Sequence, residues 1–315
     1  MNQKTDMKTV SVVMATYNGE KYLREQLDSI LGQTYAPFEI IIQDDGSTDG
    51  TVGIIKEYTQ KYSIIKLYVN EHNLGFNQNF KSVAMKATGD FVAISDQDDV
   101  WFPEKIEKQV QAIGDHDICC SPCLKGNTLE SSQPYKYKFS FEQQLFFSIY
   151  GHTMLCRRDF IQNEDFWIPS IWYDWSLSLF AYLHRGVAVV DEPLNWHRHH
   201  DDEVTIGKGE RGNIITPYIK GYHSFRQLQQ DANWQLVYSF VYQQTTEKAP
   251  LVHRICDLLL KNDSWSLFRL CCLCWKHREF IYNTNRTHGL MGSLRGFFFP
   301  MLYAYTNENQ FRNCL

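Results

Sequence analysis

Continuous apolar runs alternate with amphipathic stretches over the first hundred residues of the chain. Residues 10–15 form an apolar run that breaks at Thr16-Tyr17-Asn18-Gly19, and residues 20–31 carry Tyr22, Leu23, Leu27, Ile30 and Leu31 at helical spacing. A second run, 38–42, closes on Asp44-Asp45-Gly46-Ser47, with Thr48 or Asp49 placed to cap a helix reaching Tyr58. Residues 64–69 read as a third strand, 77–87 as a third helix and 91–94 as a fourth strand. Strands apolar on both faces, alternating with helices through short loops, predict an α/β fold with a mostly parallel sheet flanked by helices. Such sheets bind ligands at their C-terminal strand edges. There the chain places four polar clusters: Thr16-Tyr17-Asn18, Asp44-Asp45, Asn73 with Gly75, and Asp96 to Asp99.

The last cluster, Ser95-Asp96-Gln97-Asp98-Asp99, sets three carboxylates in four positions directly after an apolar run. Crowded like charges are costly unless a cation compensates them. One reading is therefore a site for a hard divalent cation, Mg²⁺ or Mn²⁺. The other is an acidic surface turn ahead of a helix starting near Pro103. The glycine triplet of dinucleotide-binding folds is missing after the first strand, and so is a Walker A loop. A nucleotide here would have its phosphates neutralised by metal, which the Asp96 and Asp98 pair would hold. Nucleotidyl transfer calls for a glycine-rich loop with a lysine near the first strand, and fits poorly.

The pattern changes beyond residue 205. Residues 213–244, 252–261 and 264–282 read as helices, with apolar stripes such as Ile255, Leu258 and Leu259, then Leu267, Leu270 and Leu273. Arg254, Lys261, Arg269, Lys276, Arg278, Arg286 and Arg295 outnumber Asp257, Asp263 and Glu279 in this stretch, and an aromatic run begins at Phe297. The expected organisation is an α/β domain over 1–205 and a helical region over 206–315. The helical region would pack on the core, join an oligomer, or rest peripherally on an anionic membrane surface.

Composition narrows the class. The 315 residues are 43% hydrophobic and 21% charged, ordinary for a soluble globular protein, and the net charge of −5 gives no sign of a nucleic-acid partner. Residues 1–8 lack an apolar signal-peptide core, and no run reaches the length of a membrane span. Nine cysteines without framework spacing fit a cytoplasmic protein. Cys119-Cys120 with Cys123, and Cys271-Cys272 with Cys274, are read as buried thiols in preference to zinc ligands.

Three segments carry a resemblance. Val12-Val13-Met14-Ala15-Thr16-Tyr17-Asn18, Gln43-Asp44-Asp45-Gly46-Ser47-Thr48-Asp49 and Ser95-Asp96-Gln97-Asp98-Asp99 resemble, in order and spacing, the signature of family 2 glycosyltransferases with the GT-A fold. Gly151-His152-Thr153-Met154, Tyr173-Asp174-Trp175, Asp191-Glu192-Pro193-Leu194 and His197-Arg198-His199-His200 are similar to later segments of the bacterial branch that builds rhamnose-containing and related surface polysaccharides. Beyond about residue 205 the resemblance stops.

The resemblance implies inverting, metal-dependent transfer of a sugar from a UDP- or dTDP-type donor. The acceptor would be a saccharide or lipid-linked glycan, in O-antigen or capsule synthesis at the cytoplasmic face of the membrane. It would place Ala15, Thr16, Tyr17, Asn18, Asp45, Asn79, Asp96 and Arg198 around the nucleotide-sugar. Tyr17 would stack on the base, Asp45 accept from its imide N–H, Asp96 lie near the ribose and Arg198 contact the diphosphate. Asp96, Asp98 and His200 would hold Mg²⁺ or Mn²⁺, while Asp99 would cap the turn toward Pro103. Asp174 is the candidate base; its alternative is to cap a helix over 175–183. A catalytically silent, nucleotide- or sugar-binding scaffold of a glycan-assembly complex is the alternative of a different class.

Overall fold

The computed structural model describes residues 7–135, 137–200, 216–282 and 288–307. These group into two compact units, one within 1–135, 149–168 and 176–202, the other within 136–148, 169–175 and 203–315. The expected boundary at 205 and 206 lies outside the described residues, as does Arg286.

The first unit is organised by the strands β1 (Val10–Thr16), β2 (Glu39–Asp44), β3 (Ile65–Val69) and β4 (Phe91–Ser95), linked by helices α1 (Leu23–Leu31), α2 (Thr51–Lys61) and α3 (Phe76–Ala84). There follow β5 (Val100–Trp101), α4 (Lys105–Ala112), β6 (Ile118–Cys120), β7 (Leu124–Gly126), β8 (Gln133–Pro134), β9 (Leu155–Arg157), β10 (Val187–Val189) and β11 (Asn195–Arg198). Seven strands form one sheet in the order β10-β6-β9-β4-β1-β2-β3, and β5-β11-β7-β8 form a second. All residues of β2 and β4 are buried, as expected of parallel strands covered on both faces. Val10, Val12, Met14, Ile40 and Ile42 meet Leu23, Leu27 and Ile30 of α1 and Ile55 and Tyr58 of α2 in one apolar cluster.

The winding locates a site. β1 pairs in parallel with β2 on one side and β4 on the other, so the chain goes outward through β2 and β3 and then crosses back. Beyond β4 the sheet turns mixed, because β9 runs antiparallel to both β4 and β6. The C-terminal ends of β1 and β4 flank the reversal, where open α/β sheets hold their ligands.

Helix α1 starts later than the spacing predicts because Glu20 is used elsewhere. Its carboxylate accepts from the Gly50 N–H at 2.6 Å and its own N–H donates to Asp49 at 3.1 Å, tying the loop after β1 to the loop after β2. Helix α3 ends at Ala84, and the Lys86 ammonium beyond it folds back onto the Gln43 amide oxygen at 2.8 Å.

Glu39 supports the opposite edge of the sheet. Its buried carboxylate accepts from Ser11 Oγ at 2.7 Å, from the Thr88 N–H and Oγ1 at 2.8 and 2.7 Å, and from Lys66 Nζ at 2.7 Å. Burial pushes this carboxyl up, but Lys66, Ser11 and Thr88 together pull it down to about 2 from 4.5. The unfolded chain thus takes up the proton before the folded chain does. The resulting stabilisation, about 2–3 kcal/mol, is complete above the unfolded value and lost as pH falls toward the folded one. Glu39→Gln is expected to lower the melting temperature at pH 7, with the gap to wild type closing between pH 4.5 and 2. A constant gap across that range would refute the assignment.

The second unit is helical. It contains α5 (Phe141–Gln144) and the first turn of α7 (Tyr173–Leu183), the short α6 (Arg158–Ile161) of the first unit lying between them in sequence. It continues with α8 (Thr216–Leu228), α9 (Ala232–Gln244), α10 (Pro250–Leu260), α11 (Ser264–Lys276), α12 (Arg278–Ile281), α13 (Gly289–Phe297) and α14 (Phe299–Thr306). The expected helix over 213–244 is two helices, with 213–215 outside the described residues. Asp231 accepts from the Asn233 and Trp234 N–H groups at 2.8 and 3.3 Å and starts α9 afresh. Gln229 just before it turns away to donate to the Leu259 and Lys261 carbonyls. No helix among the described residues is long and apolar enough to cross a membrane.

Candidate active site

Three loops converge at the reversal between β1 and β4. Ala15 lies opposite Gln43 near the end of β1, and Thr16, the last residue of the strand, donates through Oγ1 to Asp44 at 2.9 Å. Tyr17 presents a half-exposed ring while the Gln97 amide holds its backbone from both sides, accepting from its N–H at 2.9 Å and donating to its carbonyl at 3.0 Å. Asn18 has a φ of 49°, the left-handed region that asparagine tolerates better than most residues. Its N–H donates to Ser47 Oγ and its side-chain oxygen accepts from the Thr48 N–H, both at 2.9 Å.

The two adjacent aspartates after β2 divide the work. Asp44 is the turn residue, accepting from the Gly46 and Ser47 N–H groups at 3.2 and 2.9 Å. Asp45 reaches across instead, taking Asn70 Nδ2 at 2.7 Å and the Leu74 and Gly75 N–H groups at 2.8 and 2.9 Å. Asn79 is buried and faces inward, accepting from Asn70 at 3.0 Å and donating to the Gln43 carbonyl at 3.0 Å. It therefore fixes Asn70 and, through it, Asp45.

Strand β11 pins the acidic loop. A strand points successive side chains to opposite faces, and the polar run on and after β11 obeys this. On one face Asn195 and His197 reach Asp99, by Nδ2 at 3.1 Å and Nδ1 at 3.0 Å, and His152 adds Nδ1 at 2.9 Å. On the other face Arg198 Nε donates to the Asp98 carbonyl at 3.2 Å, and His200 Nε2 lies 3.0 Å from Asp98 Oδ2. The Arg198 guanidinium sits 4.6 Å from the Tyr22 ring and 4.2 Å from the Trp196 ring, and it pairs with Glu25. Asp96, half-buried, stands where the chain leaves β4.

The electrostatics separate Asp98 from Asp99. Burial and the neighbouring Asp99 charge push the Asp98 carboxyl above its ordinary value, as expected of an acid awaiting a cation. Burial also pushes Asp99 up, but His152 and His197 more than reverse this and leave it ionised. Burial holds His152 down at about 4, so its imidazole is neutral at pH 7, with Nδ1 2.9 Å from Asp99 Oδ2 and 2.8 Å from Asn195 Nδ2. Asp99 thus differs from the expected turn cap: the nearby helix α4 begins at Lys105 without a side-chain cap.

Asp99, His152 and His197 offer donor atoms within 4.8 Å of one another and form a candidate metal group. The His152 and His197 rings lie within 8° of parallel with their centroids 4.7 Å apart, and both reach the Asp99 carboxylate. The Asp98 and His200 pair opens instead toward Arg198. Cys119, Cys120 and Cys123 are buried, and burial pushes the first and last thiols up to about 12.

Asp174 lies in the second unit, as the second residue of α7. Its carboxylate accepts from the Trp175 N–H at 2.7 Å and from Ser148 Oγ at 3.1 Å, between the buried Tyr173 and Trp175 side chains in sequence.

Residues 11–168 match the family model described as Glycosyl transferase family 2. The putative glycosyltransferase EpsE of Bacillus subtilis is 44% identical over 108 residues, covering 34% of this chain and 39% of that protein. The uncharacterized glycosyltransferase MJ1057 of Methanocaldococcus jannaschii is 34% identical over 198 residues, 55% of this chain and 68% of that protein. The dTDP-rhamnosyl transferase RfbG of Shigella flexneri is 29% identical over 209 residues, 60% and 72% of the two chains. Among solved structures, residues 1–349 of S. aureus TarS in complex with UDP-GlcNAc superpose with a TM-score of 0.55 at 18% identity, covering 96% of this chain and 92% of that one. The mannosyltransferase PcManGT from Pyrobaculum calidifontis, in complex with GDP-Man and Mn²⁺, gives 0.53 at 16% identity, covering 96% and 86%. At these identities the structural likeness is one of fold, the GT-A fold.

Proposed function

The chain belongs to glycosyl transferase family 2, and on that premise we propose that it transfers a sugar with inversion from a UDP- or dTDP-linked donor to a saccharide or lipid-linked acceptor. Surface-polysaccharide synthesis, of the O-antigen or capsule kind, at the inner face of the cytoplasmic membrane is the setting this reading implies. The observation that carries it is the meeting of Asp98, His200 and Arg198 at the reversal between β1 and β4.

Each residue has a task in this reading. The Tyr17 ring stacks on the base, with Asn18 and Thr16 shaping the loop beneath it. Asp45, held by Asn79 through Asn70, receives the base imide N–H and keeps the 70–75 loop in place. Asp96 meets the ribose. Asp96, Asp98 and His200 supply two carboxylates and an imidazole, a donor set that fits Mn²⁺ or Mg²⁺; when bound, the ion offsets charge on the diphosphate leaving group. Arg198 exchanges its Glu25 partner for phosphate oxygens. Asp174 takes the proton of the acceptor hydroxyl as that oxygen attacks the anomeric carbon and the nucleoside diphosphate departs.

Thermal melting of the intact chain with UDP, dTDP, GDP and CMP, each with and without Mn²⁺, tests the donor site. A ligand at a hundredfold excess over its Kd stabilises by about 3 kcal/mol, and the shift is expected with UDP or dTDP when metal is present. No shift with any nucleotide in a folded protein would overturn the donor-site reading. RfbG's named donor makes dTDP-rhamnose the first sugar nucleotide to try.

A further inference from the structure

Helix α11 buries one side and presents a mixed aromatic and cationic side to solvent. Trp265, Phe268, Cys272 and Trp275 follow one another three or four residues apart on that side, with Arg269 and Lys276 beside them. Trp265 and Trp275 are 66% and 47% exposed, a large apolar area for a soluble helix to leave uncovered. The surface continues onto α13, which packs against α11 through Phe268 and Phe297 and exposes Leu290, Met291 and Leu294.

A cleft of about 270 Å³ opens next to this stripe, lined by Arg254, Leu258, Arg269, Cys272, Leu273 and Lys276. Three cations thus surround an apolar floor, and none of them has an ion pair among the described residues. The nearby acids are already engaged. Asp257 pairs with Lys261 at 2.7 Å, and Asp263 caps α11 through Ser266. In a chain of net charge −5, this concentration of positive charge is local.

We propose that the α10–α11 cleft binds the phosphate of an anionic phospholipid while Trp265, Phe268 and Trp275 insert beside it at the bilayer interface. Indole and phenyl rings favour that boundary, and clustered cations favour anionic headgroups. A lipid surface accounts for both features at once, its headgroup phosphates for the cations and its interface for the indoles. The proposal does not depend on the donor site, whose nucleotide response is read separately.

Flotation of the intact chain with phosphatidylcholine vesicles, with and without phosphatidylglycerol, decides it. Binding is expected only with the anionic lipid and is expected to weaken with salt. Each interfacial cation is worth about fivefold in affinity, so the triple change Arg254→Gln, Arg269→Gln and Lys276→Gln is expected to cost about a hundredfold. Trp265→Ala with Trp275→Ala is expected to remove binding while a cooperative melt at the wild-type temperature shows the variant folded. Binding to neutral vesicles alone, binding indifferent to both sets of changes, or no vesicle binding with self-association that the tryptophan changes disperse would each overturn the proposal.

Discussion

Asp98→Asn is expected to lower the rate of sugar transfer by about three orders of magnitude, the scale on which loss of a Lewis-acid site is felt. The nucleotide-dependent melting shift should lose its requirement for metal in the same protein, or vanish. The substitution keeps the size of the side chain and relieves the repulsion from Asp99, so the protein without ligand should melt no lower than wild type. Reduced binding and preserved folding together identify a ligand-holding role. Asp99→Asn should behave differently: its carboxylate joins His152, His197 and Asn195, so its loss is expected to lower stability even without nucleotide. A fully active Asp98→Asn protein would move the cation site to the Asp99 group or remove it.

Asp174→Asn is expected to reduce kcat by between about a hundredfold and ten thousandfold, the range measured for positioned general bases. Donor binding should persist, because Asp45, Asp98 and Arg198 are untouched. The asparagine can still accept from the Trp175 N–H and from Ser148, so the start of α7 should stay formed. A lower melting temperature with unchanged kcat would assign Asp174 to the helix start alone. Nucleotide binding with no transfer in either wild type or variant would favour the silent scaffold.

The four parallel strands and their connecting helices were legible because apolar runs buried on both faces leave a plain signature, and the four polar clusters mark the strand ends. Legibility fell where long-range contacts decide. Glu20 reads as the first residue of a helix, yet Gly50 claims its carboxylate. Asp44 and Asp45 read alike, and only the fold assigns one to its own turn and the other to the 70–75 loop. Asp99 reads as a turn residue because nothing local announces His152 and His197. The signal available was the period of two in Asn195, His197 and His199 against Trp196, Arg198 and His200, which already separates the run into two faces. Helix breaks at Asp231 and His277 were hidden under continuous apolar spacing, and the first is set by Gln229 bonding to Leu259 of α10 and to Lys261 just beyond it.

The fastening of the acidic loop by β11 also sets an order of events during synthesis. The bonds from Asp98 and Asp99 to His197, Arg198 and His200 span 98 to 102 residues of chain. A ribosome adding about 5–20 residues per second leaves an interval on the order of ten seconds between β4 and β11. During it, the emerging polypeptide can pair β1 through β4 and bury their apolar faces, yet the Asp99 and Asp98 carboxylates lack His197 and His200, and the Asp98 carbonyl lacks Arg198. The nascent protein therefore has a sheet well before its acidic loop is fastened, and that fastening is a late event, timed by the arrival of residues 195–200.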